Sequence, residues 1–237
     1  ADVLAKADYL MEHTDAGLVG NKRNILLSEL AGKSTILEKI KKYGEFDKKS
    51  PIVGELIQTL KSRENAGYEY EAAEASFDLL MRKSLGRYEP IMELKNYHLE
   101  SYKSSETPSK TVGRIFMTSR DRELMGAAVG IGPVETLDHA LRDALTPLYP
   151  FLETISLIDY RVRVLNPESH AAAKVRVFIT SSDGKQSWDT VGVHENIVEA
   201  SWEALVDSME YYYNNYVVTP EAESGKKVGK AEAQLVR

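Results

Sequence analysis

Apolar and polar residues alternate along Tyr160-Arg161-Val162-Arg163-Val164, the period-two signature of a strand with one buried face. Segments of this kind predict six strands in two groups of three. The first group is Leu94 to Tyr102, Thr111 to Thr118 and Glu123 to Val129; the second is Ile155 to Leu165, Ala172 to Thr180 and Ser187 to His194. After each group the period becomes helical. Val134, Leu137, Leu141 and Leu145 mark one apolar stripe, and Val198, Trp202, Leu205, Met209 and Tyr212 mark another, so each helix is expected to lay one face on a sheet. Gly132 caps the first helix, with Pro133 at its first position, and Asn196 caps the second. Glu135 and Glu199 take the third helical position, where a carboxylate favours the positive end of the helix.

The two groups are copies of each other. Gly126 to Leu145 returns sixty-four residues later as Thr190 to Met209: Val129, Val134, Glu135, Ala140, Leu141 and Asp143 recur as Val193, Val198, Glu199, Ala204, Leu205 and Asp207, and Gly132 falls opposite Asn196. Upstream, Arg114-Ile115-Phe116-Met117 reappears as Arg176-Val177-Phe178-Ile179 at a spacing of sixty-two. Two amphipathic helices can align by chance, but chance does not also supply matching strands at nearly the same offset. The expected fold is α+β, with a small helical linker subdomain over residues 1–89 and two pseudo-symmetric β3α units over 90–217. Val134, Leu141, Val198, Trp202 and Leu205 are expected in its core.

Before Tyr88 the chain has another character. Asp15 to Asn21 reads as a turn or short helix, Arg23 to Leu30 as a brief extended segment, and Ser34 as the cap of a helix over Thr35 to Tyr43. Ser50-Pro51 opens a helix through about Asn65, ended by Gly67, and an alanine-rich helix is predicted over Tyr70 to Leu85, stopped by Gly86. Lys103 to Lys110 and Asn166 to Ser169 are matching polar connections. The charged, aromatic-free end, residues 218–237, reads as a disordered tail.

Composition narrows the function classes. With 30 Lys and Arg against 36 Asp and Glu, the net charge of -6 argues against non-specific nucleic-acid binding, which needs a basic face. The absence of cysteine removes disulfides, thiolate metal sites and a cysteine nucleophile, and is compatible with a cytoplasmic location. No apolar run is long enough to span a bilayer. The amino terminus lacks both a signal-peptide pattern and an initiator Met, as expected of an excised fragment.

The motifs with chemical meaning are few. Gly130-Ile131-Gly132 resembles the start of a dinucleotide fingerprint, but the third glycine is missing and Pro133 intrudes. Gly32-Lys33-Ser34-Thr35 resembles the end of a phosphate-binding loop, yet Leu27 stands where that loop needs glycine. The histidines show no metal-ligand spacing, and His194 is notable only for preceding a helix cap. Ser201 and Ser208 lie within a helix, without a nucleophile elbow. What is left is the pair of helix starts. The run GIGPVE offers backbone N–H groups, close approach through glycine and a positive dipole end, which suit a carboxylate or phosphate. Equally, its glycines could serve only to make a tight strand-to-helix turn.

The runs Gly130-Ile131-Gly132-Pro133-Val134 with Ala140-Leu141, then ISLIDYRVRVL, AAKVRVFITSSDG, SWDTVGV and ENIVEASWEALVDSMEY, resemble the carboxy-terminal regulatory domain shared by 2-isopropylmalate and citramalate synthases. Upstream, HTDAGLVGNKRNILLSELAGKSTI and GYEYEAAEASFDLL resemble the linker subdomains of the citramalate synthase branch. The resemblance implies an acyltransferase that condenses acetyl-CoA with a 2-oxo acid, its divalent metal and active site lying in an amino-terminal barrel missing from this chain. Ala1-Asp2-Val3-Leu4 resembles the residues just after the family's helper histidine, so no catalytic or metal residue carries over and this fragment is expected to need no cofactor and to be inactive alone. The resemblance further implies a homodimer that binds the end-product amino acid, isoleucine for citramalate synthases or leucine for isopropylmalate synthases. Gly130, Gly132, Pro133, Val134, Asp159 and Tyr160 match the effector region, and Glu195 and Asn196 match it more weakly. A free-standing amino-acid-binding dimerisation module is the competing reading, and the absence of a catalytic constellation disfavours an enzyme complete in this chain.

Overall fold

The computed structural model describes residues 43–44, 46, 50–165 and 173–218. The elements expected over Asp15 to Asn21 and Arg23 to Leu30, the Gly32-Lys33-Ser34 turn, the Asn166 to Ser169 connection, all but the last residue of the helix expected over Thr35 to Tyr43 and all but the first residue of the tail expected over 218–237 lie outside these residues. The chain divides into two compact units, Ala1–Ala66 and Gly67–Arg237. In the first, α1 (Pro51–Ala66) buries Val53, Leu56 and Leu60 along one stripe. Its bounds follow the Ser50-Pro51 opening and the Gly67 stop read from sequence.

The second unit holds α2 (Glu74–Ser84) and then the repeats. Strands β1 (Glu93–Tyr102), β2 (Lys110–Ser119) and β3 (Arg122–Gly130) form one antiparallel sheet in sequence order, followed by α3 (Pro133–Leu145). Strands β4 (Ser156–Val164), β5 (Val175–Ser182) and β6 (Ser187–His194) repeat the sheet, followed by α4 (Ile197–Tyr212). This is the α+β architecture of two β3α units that the duplicated register predicts. Purely antiparallel sheets also lack the parallel βαβ crossover that a dinucleotide fingerprint requires.

Alternation sets which face of each sheet is covered. On β2, Thr111, Gly113, Ile115, Met117 and Ser119 point inward, while Val112, Arg114 and Phe116 point away. Helix α3 covers β2 and β3, α4 covers β5 and β6, and the two helices touch. Leu137, Leu141, Leu145, Leu205 and Met209 thereby join Ile115, Met117, Val177, Ile179 and Trp188 in one continuous core. Trp202 is also buried and its ring lies 6.0 Å from that of Tyr97 on β1, so α4 reaches across to the first sheet. Val134 and Val198 are only half-buried, because each sits in the first turn at the rim of the core. Trp188 and the two serines beside it are satisfied inside the core: Trp188 Nε1 donates to Ser208 Oγ at 3.0 Å, and Ser208 donates to Ser181 Oγ at 2.6 Å.

The helices sit close to their sheets because glycine lies beneath them. A Cβ on Gly126 would fall 1.9 Å from the carbonyl oxygen of Ala140, and one on Gly192 would fall 2.0 Å from that of Ala200. Neither requirement is visible in the sequence, where both read as ordinary strand positions.

One element departs from its expected form. Tyr70 to Leu85 is not a single helix: a 3-10 turn over Tyr70–Ala72 is followed by a break at Ala73 (φ -148, ψ 62) before α2 begins. Local alanine propensity favours continuity, but the Tyr70 ring stacks on Tyr68 at 5.8 Å and meets Phe77 edge-on at 6.1 Å. Packing of these buried rings overrides the propensity.

Candidate functional site

The two helix starts occupy equivalent places in the duplication and differ in chemistry. At the start of α4, the Asn196 side chain accepts from Val198 N–H at 2.9 Å, and Asn196 N–H donates to His194 Nδ1 at 2.9 Å. This end of the helix is therefore closed by its own cap, and His194 is part of that closure. Asn196→Ala is expected to destabilise the second unit by about 1 kcal/mol, the usual worth of such a cap; a denaturant melt of the variant checks it.

The start of α3 has no side-chain cap. Gly132 stands at the cap position in ordinary extended geometry (φ -144, ψ 170), and its carbonyl accepts from Thr136 N–H at 3.1 Å and Thr136 Oγ1 at 2.8 Å. The Ile131 N–H is taken by Glu135 Oε2 at 2.6 Å, so one donor that the sequence pattern offers to a ligand is already satisfied. The amides of Val134 and Glu135 lie in the first turn, whose N–H groups have no acceptor within their own helix. A Cβ on Gly132 would meet nothing within 4 Å, so space opens in front of that turn. Gly130 differs: a Cβ there would fall 2.7 Å from Thr136 Oγ1 and 3.0 Å from Glu135 Oε2, so it is glycine for close approach. Buried Thr136, which ties this turn to the Thr111 carbonyl at 3.3 Å, was not singled out by sequence, although a threonine on an apolar helix face is a visible signal.

The remaining residues divide between the two faces of the second sheet. Tyr160 pairs with Ile179 and points to the helix side, where its hydroxyl lies 2.8 Å from Ser201 Oγ on α4. Asp159 pairs with Thr180 and points the other way, next to a bulge at Ile158. There it bonds Arg161 Nε at 2.9 Å, and Arg161 also lies 3.7 Å from Asp189. Asp159 and Tyr160 are thus not brought together. Glu195 is exposed beside the α4 start. Among the described residues, no helix is long and apolar enough to cross a membrane, and no group of three or more His, Asp or Glu converges as a metal site.

Comparison with known proteins agrees with this architecture. The model of the LeuA allosteric (dimerisation) domain matches residues 71–213, which contain both β3α units. The chain is 42% identical over 213 residues to an (R)-citramalate synthase of Aquifex aeolicus, covering 89% of this chain and 40% of that protein. It is 40% identical over 218 residues to the (R)-citramalate synthase of Geobacter sulfurreducens, covering 91% and 41% respectively. A Synechocystis (R)-citramalate synthase is 40% identical over 208 residues, covering 86% and 38%. The chain spans about two fifths of the length of these curated relatives.

Proposed function

We propose that this chain, which belongs to the LeuA allosteric (dimerisation) domain family, is the linker and regulatory portion of a cytoplasmic citramalate synthase and binds a branched-chain amino acid for feedback inhibition. Isoleucine is the first choice and leucine the second. The observation that carries this reading is the difference between the helix starts: the α4 start is closed by Asn196, whereas the α3 start is uncapped, with open space before Gly132. An effector carboxylate there meets the Val134 and Glu135 amides and the positive end of the dipole, and competes with Glu135 for Ile131 N–H. Glu195 is the remaining side-chain candidate for the ammonium, since Arg161 engages Asp159 on the far face. Val134 and Tyr160 are the apolar surfaces nearest in kind to an aliphatic side chain, and pocket shape separates isoleucine from leucine by about 1–3 kcal/mol. On this reading the divalent metal and acetyl-CoA belong to the barrel of the parent enzyme. A thermal-shift screen of the chain against the free amino acids tests the reading. Stabilisation by isoleucine or leucine alone is expected; a flat response to both overturns it.

The same reading includes a homodimer, supported by an asymmetry between the copies. Phe116 and Phe178 are equivalent outward residues, yet Phe116 is 39% exposed and Phe178 only 2%. The guanidinium groups of Arg161 and Arg176 lie over the Phe178 ring, and Arg176 also binds Gly67 and Glu69. On the first sheet the corresponding face stays open: Phe116 neighbours Met125, and Val112 neighbours Val129, all exposed. Exposed apolar sheet surface costs about 25 cal/mol per Å² relative to a covered one, which a second copy removes. Phe116→Asp is expected to convert a dimer into a monomer in sedimentation at micromolar concentration, with the fold intact. A variant that still sediments as a dimer removes this face from the interface.

A further inference from the structure

Helix α4 carries a second, polar stripe that neither the core nor the proposed effector site uses. Glu199, Glu203, Asp207, Glu210 and Asn214 follow at spacings of four, four, three and four, so they share one face. Each accepts hydrogen bonds, and four of the five accept them from residues 68–91, the segment between the first compact unit and the repeats. Tyr68 donates to both oxygens of Glu203 at 2.6 and 2.7 Å. Ser76 on α2 donates to Asp207 at 2.8 Å, and Lys83 approaches the other Asp207 oxygen at 3.4 Å. Tyr88 donates to Glu210 through a short bond, and Ile91 N–H reaches its other oxygen at 3.3 Å. At the end of the ladder a π-helical turn, Tyr213–Val217, turns Asn214 onto Glu89: it accepts from Glu89 N–H at 2.9 Å and donates to the Glu89 carbonyl at 2.8 Å. Glu199 accepts instead from Tyr97 on β1.

Charge along this ladder is unbalanced at its buried end. Asp207 and Glu210 are successive acids on the stripe, and the cation placed toward both is Lys83, itself 42% exposed at the side chain. Arg82, also on α2, is engaged by Asp78 at 2.8 Å and Asn215 at 2.8 Å. Glu89, another acid of the segment, accepts from the Tyr213 hydroxyl at 3.2 Å. Glu210, 2% exposed, therefore faces Tyr88, Lys83, the Ile91 amide and the Asp207 carboxylate. We propose that this ladder clasps residues 68–91 onto α4 and that proton loss at Glu210, buried beside the Asp207 carboxylate, loosens the clasp, so that the join between the linker segment and the repeats is pH-dependent. Burial is the main cause that lifts the Glu210 carboxyl from its ordinary 4.5 to about 7, with the Asp207 charge adding to it. Asp207 is raised as well, again chiefly by burial, while Tyr88 is pushed well above its usual range and stays a donor throughout. A carboxyl raised on folding contributes stability that is fully present below 4.5 and is lost as pH rises through about 7. The clasp is therefore tighter at pH 6 than at pH 8.

Hydrogen exchange of the full chain tests this. The Ile91 and Glu89 amides, corrected for intrinsic exchange, are expected to lose about tenfold protection between pH 6 and pH 8, the change that one titrating group shifted to about 7 produces over that interval. Ladder amides between β5 and β6 are expected to stay constant as the internal reference. In Glu210→Gln the dependence is expected to fall well below tenfold, Asp207 being the raised acid that is left, and a tenfold loss persisting in that variant overturns the assignment. Should the variant lose protection at both pH values, carbon NMR of the Glu210 carboxyl in the unsubstituted chain decides: a midpoint near 7 upholds the proposal and one below about 5 overturns it.

Discussion

Gly126→Ala and Gly192→Ala are expected to destabilise the second unit by about 3 kcal/mol or more each, the upper range for an overpacked core. Each new Cβ would meet a helix carbonyl, of Ala140 at 1.9 Å or Ala200 at 2.0 Å, and a backbone group cannot move aside as a flexible side chain can. The helix would have to lift off its sheet and open the contact that seats Leu141 or Leu205 in the shared core. For a unit of this size the loss corresponds to a Tm lower by about 6–12 °C, readable in a thermal melt. Gly132→Ala, facing open space, is expected to lower Tm by far less, and this contrast separates close approach from a general intolerance of glycine replacement.

Gly132→Asp is expected to abolish amino-acid binding without weakening the fold. Its φ of -144 is open to any residue, a Cβ there meets nothing, and aspartate is itself a good helix cap. Stability should stay constant or rise by a few tenths of a kcal/mol. The new carboxylate would take the first-turn amides and oppose the effector carboxylate, a like-charge placement costing several kcal/mol, so affinity should fall by more than about 100-fold. A melt and a binding titration on one preparation give both readouts. Unchanged affinity would move the effector away from the α3 start.

Much of the fold was legible because it repeats. Periods of two and of 3.6 marked the six strands and the two repeat helices, and the shared register of Val134 with Val198 and Leu141 with Leu205 joined them into two copies. Features made by contacts distant in sequence were not legible. Arg176 is held by Gly67 and Glu69, more than a hundred residues upstream, so the covered Phe178 and the open Phe116 look identical in the chain. Nothing in the chain marks Glu203, Asp207 and Glu210 as an interior face; the arrival of Tyr68, Ser76 and Tyr88 makes it one. The candidate site was partly legible: Asn196 caps as expected and Gly132 stands before an uncapped turn. The grouping of Asp159 with Tyr160 came from the family resemblance, whereas strand alternation places neighbouring residues on opposite faces.

Isothermal titration of the full chain with isoleucine, and separately with leucine, at millimolar ligand tests the regulatory account most directly. The account predicts a saturable heat for isoleucine, a weaker one for leucine, and none for either after Gly132→Asp. Absence of heat with both amino acids on the folded chain would contradict it and leave the glycines at the α3 start as turn-formers.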